Sequence, residues 1–333
     1  MITPHIYGHT PQLAKLNALL KTGSFPHAMI FTGPSGIGKR MIAHAFLNTL
    51  FCTGEQKPCG VCPACSQITA GSFPDMLTAG PDAQGSFLVG DPDKPEPGTA
   101  RWIVQRMAMK SVSGKTGVLI DGIDKANDSA QNALLKTLEE PGEGTVLLLT
   151  AAERAKVLPT ILSRCTELKF SGLSAGELKI IMKDKADNGD LLDFIASASG
   201  GSIENAEALA DEDMRETILD ACREISRAMV SGSALKADSA VLSRPKSGVD
   251  GVEILIAIYH HLMQTSAKGV PAASSLYDDI YIDDISALRT IIKMLLAVKK
   301  ARANNLNAVL QLKALAYYAN DNGLPEPPFA PQF

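Results

Sequence analysis

The chain has 333 residues, of which 45% are hydrophobic and 20% are charged. This composition is ordinary for a globular protein with well-filled cores, and the length suits two or three domains. The formal net charge of −4 excludes a uniformly basic coat for nucleic acid. Any contact with DNA would therefore come from a local patch or from a partner.

Targeting signals and membrane spans are not evident in the sequence. No apolar run is long enough to cross a bilayer, and residues 1–5 lack the charged and apolar regions of a signal peptide. We therefore predict a cytoplasmic protein without membrane contact. In that reducing compartment the six cysteines are not expected to form disulfides.

The first half of the chain alternates between helix and strand signals. Short apolar runs predict buried strands, and helical periodicity predicts helices between them. The predicted strands are 28–32, 117–121 and 145–150, and the predicted helices are 13–20, 41–50 and 126–139. This alternation predicts an α/β fold with a parallel sheet and helices on both faces. Residues 80–99, rich in Gly, Pro and Asp, predict a surface loop.

The second half carries almost no strand signal. Short helical patterns occupy residues 174–210, and a longer helical region covers 252–320, with its longest pattern at 285–302. Residues 231–250 are rich in Ser and Gly and predict a linker, and the Pro-rich residues 323–333 predict an irregular tail.

A phosphate-binding loop is indicated by residues 33–40, GPSGIGKR, which lie between a predicted strand and a predicted helix. Its glycines let backbone N–H groups face phosphate oxygens, and Lys39 would reach the outer phosphates. The next position normally supplies a Ser or Thr hydroxyl to Mg²⁺, but here it is Arg40, which has no lone pair to give. The sequence therefore predicts a loop that can hold ATP or ADP but binds Mg²⁺ poorly. The alternative is a glycine-rich turn that binds nothing.

Asp121 ends the second predicted strand and is a candidate residue for holding Mg²⁺ and its coordination shell. Many ATPases of this type have a Glu directly afterwards to polarise the attacking water, but here the next residue is Gly122. Asp124 lies past the strand end, poorly placed for that task. Alternatively, Asp121 and Asp124 cap the following turn and helix. The losses at positions 40 and 122 affect the same chemistry and predict that hydrolysis is impaired.

Four cysteines are crowded into residues 52–65. Cys-x2-Cys spacing lets two thiolates face one tetrahedral metal ion. The group predicts a closed structural Zn²⁺ site without a position for water, and its ligands would be Cys52, Cys59, Cys62 and Cys65. Free thiols or a redox pair are the alternatives. Cys165 and Cys222 are expected to be ordinary half-buried thiols.

Several segments together carry a family resemblance. Residues 25–31 (FPHAMIF) lead into the phosphate loop, and the cysteine module follows the helix after that loop. Residues 132–141 (NALLKTLEEP) and 158–165 (LPTILSRC) complete the set. The chain closely resembles the AAA+ subunits of bacterial sliding-clamp loaders, strongly over residues 1–170 and weakly beyond. The last two motifs are quite specific to clamp loaders.

The resemblance implies roles for two further residues. In the family, the arginine of the Ser-Arg-Cys motif reaches across a subunit interface to a neighbour's ATP, and Arg164 matches it. A planar guanidinium suits this task because it stabilises the charge of a transferring phosphoryl group. A local salt bridge is the alternative for Arg164. Thr150 stands where the family has a polar residue that senses the γ-phosphate, although a plain strand-end threonine explains it equally well.

The chain departs from the active motor subunits of this family at three positions. Motors have Ser or Thr at the place of Arg40, Asp-Glu at the place of Asp121-Gly122, and an arginine at the place of Glu204. The resemblance therefore implies a non-motor subunit. Contacts to a nucleotide, if one binds, are expected from the loop and the strand ends, namely Gly33, Ser35, Gly36, Gly38, Lys39, Arg40, Asp121 and Thr150.

The domain organisation is also implied by the resemblance. It consists of an AAA+ domain over residues 1–170 with a zinc module at 52–65, a helical lid at 171–230 and an all-α collar at 250–325. The collar would hold the chain in a hetero-pentamer with motor subunits and delta, which acts on a sliding clamp and primed DNA.

The leading hypothesis is a scaffold subunit that supplies Arg164 in trans. One rival is an active clamp-loader ATPase in which Asp124 replaces the missing carboxylate. Another is a zinc-dependent DNA-binding module, which the acidic net charge disfavours.

Overall fold

The computed structural model describes residues 6–231, 249–280, 282 and 284–303. The chain divides into two compact units, Met1–Gly172 and Leu173–Phe333, called here the sheet unit and the helical unit. Within the described residues, no helix is both long and apolar enough to pass through a membrane.

Over its described residues, 6–172, the sheet unit contains five strands, all parallel, in the spatial order β2-β3-β4-β1-β5. The strands are β1 Ala28–Thr32, β2 Met76–Ala79, β3 Thr116–Ile120, β4 Thr145–Ala151 and β5 Thr166–Lys169. The predicted parallel α/β sheet is confirmed, and the three predicted strands are present. Two strands, β2 and β5, were not predicted.

In the same described range, seven α-helices flank the strands: α1 Thr10–Thr22, α2 Lys39–Phe51, α3 Pro63–Thr69, α4 Ala100–Met107, α5 Asp128–Ala133, α6 Leu135–Glu139 and α7 Pro159–Leu162. The prediction of one helix over 126–139 is wrong. Residues Ile123–Lys125 form a 3₁₀ turn, and Leu134 separates α5 from α6.

Alternate residues of the central strands face two different cores, since successive side chains of a strand point to opposite faces. Ile30 and Leu147 pack with α4, α5, α6 and α7 on one face, whereas Phe31 and Leu148 pack with α1 and α2 on the other. Burial on both faces explains why β1, β3 and β4 are nearly continuous apolar runs. In such a sheet the carboxyl ends of the strands share one edge, where ligands bind in open α/β folds.

The helical unit is described as six helices: α8 Ala175–Met182, α9 Gly189–Ala198, α10 Ile203–Ala210, α11 Glu212–Ser231, α12 Gly251–Lys268 and α13 Ile285–Ala303. Their apolar faces share one core that runs from Leu173 to Val298. The hydroxyl groups of its two buried tyrosines are bonded, since Tyr259 donates to the Cys222 carbonyl at 2.8 Å and Tyr277 lies 2.8 Å from Ser197 Oγ.

The division of this unit into a lid (171–230) and a collar (250–325) stays a prediction. Most of the predicted linker (232–248), the last part of the predicted collar (304–325) and the predicted irregular tail (323–333) lie outside the described residues.

Candidate functional site

The phosphate loop joins β1 to α2, and only glycine fits its first position. The Gly33 N–H donates to the Ala151 carbonyl at 3.2 Å. A Cβ atom at Gly33 would lie 2.2 Å from the Phe170 carbonyl oxygen, far inside contact distance. Gly36 and Gly38 have φ angles of 69° and 94°, a region that side chains disfavour. These glycines therefore set the path of the loop. Ser35, which lies between Gly33 and Gly36, is exposed.

Lys39, the first residue of α2, is folded into this loop. Its side chain is only 7% exposed, and Nζ donates to the carbonyls of Gly33 at 2.7 Å and Pro34 at 2.5 Å. The ammonium group thus lies inside the curve of the loop, where phosphate-binding loops place this charge.

A histidine that the sequence interpretation missed supports the loop from outside. His9 Nε2 lies 2.9 Å from the Ile37 carbonyl, and its ring packs edge-on against Phe170 with a centroid distance of 5.1 Å. His9 is also the one described residue other than glycine with a positive φ angle, 53°. No pattern in the sequence identified this contact, because it joins segments far apart in the chain.

Asp121 follows β3 and lies between two partners. Its Oδ1 accepts a hydrogen bond from the Thr150 hydroxyl at 2.6 Å, and its Oδ2 lies 3.5 Å from Nη1 of Arg40. The Arg40 side chain is 67% exposed, so this ion pair stabilises the fold little. It nevertheless places a permanent positive charge beside the carboxylate that would hold Mg²⁺.

Gly122 is held in a left-handed conformation. Its φ angle is 66°, and its N–H donates to the Thr150 hydroxyl at 2.9 Å. A Cβ atom there would approach Pro81 Cγ to 3.3 Å. A glutamate at this position would therefore strain the backbone of this loop.

The proposed capping roles of the two aspartates are wrong. Asp124 is 8% exposed, and its Oδ2 accepts the Glu153 N–H at 3.0 Å. The cap of α5 is Asn127, whose Oδ1 accepts the Ala130 N–H at 2.9 Å. An Asn directly before an acidic first turn is a usual start signal for a helix and could have been recognised.

Arg164 lies two residues after α7, and its guanidinium group makes three hydrogen bonds within the described part of the chain. Its Nη2 donates to Glu139 Oε1 at 2.5 Å, and its Nη1 donates to the Thr160 carbonyl at 2.8 Å and to Ser163 Oγ at 3.3 Å. The side chain remains 34% exposed. Both interpretations of Arg164 thus stay open, because the local salt bridge exists and about a third of the side chain is still exposed.

The four clustered cysteines converge as the spacing predicts. Their sulfur atoms all lie within 4.8 Å of one another, and Cys52 Sγ lies 4.0 Å from Cys62 Sγ. Sulfurs around one tetrahedral ion with bonds of about 2.3 Å would be about 3.8 Å apart. The cysteines are all free thiols. The arrangement therefore fits a four-sulfur metal site.

Backbone N–H groups point at these sulfurs. Cys52 Sγ and Cys59 Sγ each accept an N–H at 3.3 Å, from Cys59 and Cys62 respectively. The N–H of Cys65 is the main cause that lowers the pKa of Cys62 to about 5, whereas burial raises the pKa of Cys65 to about 12. Donors to sulfur favour the thiolate, which is the form that binds metals. A Cβ at Gly54 would lie 2.9 Å from Cys59 Sγ, so a glycine is needed beside the cluster.

The two isolated cysteines differ from each other. Cys165 is half-buried, as expected, and burial raises the pKa of its thiol to about 12. Cys222 is fully buried rather than half-buried, because α11 turns it into the core of the helical unit.

Comparison with known proteins finds a matching family model and sequence relatives. A family model described as "DNA polymerase III, delta subunit" matches residues 8–174. The DNA polymerase III subunit delta' of Pseudomonas aeruginosa is 29% identical over 305 residues, which cover 87% of this chain and 90% of that protein.

Two further matches are partial or remote. The DNA polymerase III subunit tau of Escherichia coli is 32% identical over 216 residues, 62% of this chain but only 32% of tau, so the match spans about a third of that protein. A solved structure of a gamma subunit-related protein from Thermotoga maritima is 16% identical with a TM-score of 0.46, covering 92% of this chain and 99% of that one.

Proposed function

Because the chain belongs to the DNA polymerase III delta-subunit family, we propose that it is a delta-prime-like, non-motor subunit of a sliding-clamp loader. In this proposal it supplies Arg164 in trans to the ATP site of a neighbouring motor subunit. The partners would be the motor subunits and delta in a hetero-pentamer, with the sliding clamp and primed DNA bound through the complex. In this proposal the clamp loader acts in the cytoplasm.

The observation that carries the non-motor assignment is the Arg40–Asp121 ion pair. Mg²⁺ needs oxygen ligands, and the side chain that would normally provide a hydroxyl is instead a cation 3.5 Å from the remaining carboxylate. A divalent ion at this carboxylate would be repelled by the guanidinium. ATP or ADP can still be held statically by the loop and Lys39, but catalysis by the metal is opposed.

The surroundings of Gly122 and Asp124 support the same conclusion. Position 122 has no carboxylate, and its left-handed backbone disfavours one. The rival ATPase hypothesis needs Asp124 to polarise water, yet this carboxylate is 8% exposed and its Oδ2 is occupied by the Glu153 N–H. Glu204, which lies in the first turn of α10, adds a negative charge where the family's motors have an arginine.

The role of Arg164 is supported by its chemistry and its exposure. An arginine finger must be charged, planar and free to meet phosphate oxygens at a subunit boundary. Arg164 is charged and planar, and its partly exposed side chain lies just after a short helix. We further propose that the four clustered cysteines hold a structural Zn²⁺, because four sulfurs favour that ion and leave no position for water.

The direct test is a clamp loader reconstituted with the motor and delta subunits. Arg164→Ala is expected to lower the turnover of the one ATP site that faces this subunit by about 10³-fold or more, and to impair clamp loading. Arg164→Lys should restore little, because lysine lacks the planar fork. Lys136→Ala, which removes an exposed cation from α6, is the matched control.

Two results would contradict the proposal. Unchanged DNA-stimulated ATPase and clamp loading by Arg164→Ala would remove the role in trans. ATP turnover by the purified chain alone that disappears in Lys39→Ala would instead identify a motor subunit.

A further inference from the structure

Arg164 is held by three acceptors, and one of them is a side chain that has no assigned role. Thr160 and Ser163 lie on the arginine's own segment and contact Nη1. Glu139 belongs to α6 and contacts Nη2 from the other side. The arginine is therefore fixed both within its own segment and across to a second helix.

The position of Glu139 is itself well determined. Pro141 disfavours helical geometry at residue 140, so that α6 ends at Glu139 and Glu140 turns away with φ −127° and ψ 65°. Leu138, just before it, is fully buried in the core beneath the sheet, and so is Ile161 of α7. The backbones that carry Glu139 and Arg164 are thus anchored in the same core, while the two side chains that form the ion pair are partly exposed.

We propose that Glu139 is a positioning residue, which holds the guanidinium of Arg164 ready for the phosphate of a partner-bound nucleotide. This inference rests on the proposed role of Arg164 in trans. An unrestrained arginine loses rotamer freedom when it enters an interface, and prior restraint removes part of that loss. The pair lowers the mobility of the side chain before the partner arrives.

The hydrogen-bonding geometry leaves donors for the partner. A guanidinium has five N–H groups. Within the described residues, Nη1 serves Thr160 and Ser163 and Nη2 serves Glu139, while Nε makes no hydrogen bond. The Nε edge and the second Nη2 hydrogen therefore remain available to phosphate oxygens, which favour such paired donors.

The solvent exposure of the two side chains indicates that Glu139 orients Arg164 rather than cancelling its positive charge. The side chains are 34% exposed for Arg164 and 48% exposed for Glu139, so that water screens their attraction. A screened pair fixes geometry but leaves most of the positive charge for a doubly or triply charged phosphate. A buried pair would have withheld that charge from the partner.

The test uses the reconstituted complex and a neighbouring control. Glu139→Ala is expected to lower the ATP turnover that depends on Arg164 by about threefold to tenfold, with the KM for ATP and complex assembly unchanged. Glu139→Gln keeps an oxygen acceptor and should stay within about twofold of the unsubstituted complex. Glu140→Ala removes the adjacent carboxylate, which forms no ion pair among the described residues, and should change nothing.

Each other outcome overturns the inference in a recognisable way. If Glu139→Ala equals Glu140→Ala, or raises turnover, Glu139 does not position the arginine. If Glu139→Ala prevents assembly and Glu139→Gln does not, its role is structural. Arg164→Ala in the same preparation separates the two proposals: no effect there rejects both, whereas a loss there with normal Glu139→Ala rejects the positioning role alone.

Discussion

Thr150 offers a direct test of how the carboxyl-terminal ends of strands β3 and β4 are held together. Its side chain is 2% exposed, and its hydroxyl donates to Asp121 Oδ1 at 2.6 Å while accepting the Gly122 N–H at 2.9 Å. Thr150→Val replaces this hydroxyl with a methyl group of similar size. The substitution therefore removes two hydrogen bonds without creating a cavity.

The expected loss of stability follows from these two bonds. A hydrogen bond to a charged acceptor contributes about 1.5–3 kcal/mol, and a buried N–H left without a partner costs about 1–3 kcal/mol. Water can reach part of Asp121, whose side chain is 24% exposed, so the low end applies. Adding the low end of each, we expect the free energy of unfolding to fall by about 2.5 kcal/mol. For a unit of this size that corresponds to a lower Tm by about 5–10 °C.

Urea denaturation followed by tryptophan fluorescence is a suitable assay. The chain has one tryptophan, Trp102, which lies half-buried in α4 of the sheet unit and reports on that unit. Thr49→Val is the matched control, since Thr49 is 5% exposed but its hydroxyl only donates to the Ala45 carbonyl of its own helix. Equal losses for the two variants would refute the argument and leave the Thr150 hydroxyl available for the predicted γ-phosphate contact.

Two further predictions concern the metal and the nucleotide. Protein purified without chelators should contain about one zinc per chain, and Cys59→Ser should lose it whereas Cys165→Ser should keep it. A zinc content near zero in the unsubstituted protein, measured by plasma mass spectrometry, would rule out this site. Arg40→Thr should tighten ATP binding about tenfold when Mg²⁺ replaces EDTA, with no hydrolysis because Gly122 is unchanged. Calorimetric titration would contradict the reasoning if Mg²⁺ affected both proteins equally.

The sequence predicted the central strands well because their signal is local. Ala28–Thr32 is apolar at four of five positions and buried at all five, as expected for a strand that is covered on both faces. The strand β2 alternates in burial over four residues, and β5, Thr-Glu-Leu-Lys, is an edge strand with two exposed ends. Such short strands take their structure from pairing with a neighbour, which composition does not reveal.

The candidate site shows the same limit. The cysteine spacing is a local pattern, and the predicted convergence of the four sulfurs is confirmed. The contacts of Arg164 with Glu139 and of His9 with Ile37 join distant segments, and nothing in either segment predicts them. Glu139 lay within the motif that carried the family resemblance, yet only the packing of α6 against α7 gives it a possible task.

The position of β1 in the sheet has a consequence for protein synthesis. This strand lies between β4 and β5, and the loop after it is tied to Ala151 by the Gly33 N–H. The Phe170 N–H in turn donates to the Thr32 carbonyl at 2.7 Å. A ribosome must therefore release nearly the whole sheet unit before β1 gains either neighbour, since parallel pairing joins distant segments. Until then the backbone edges of β1 are unpaired and its apolar side chains are uncovered, and a nascent chain stalled before β4 would be a substrate for chaperones.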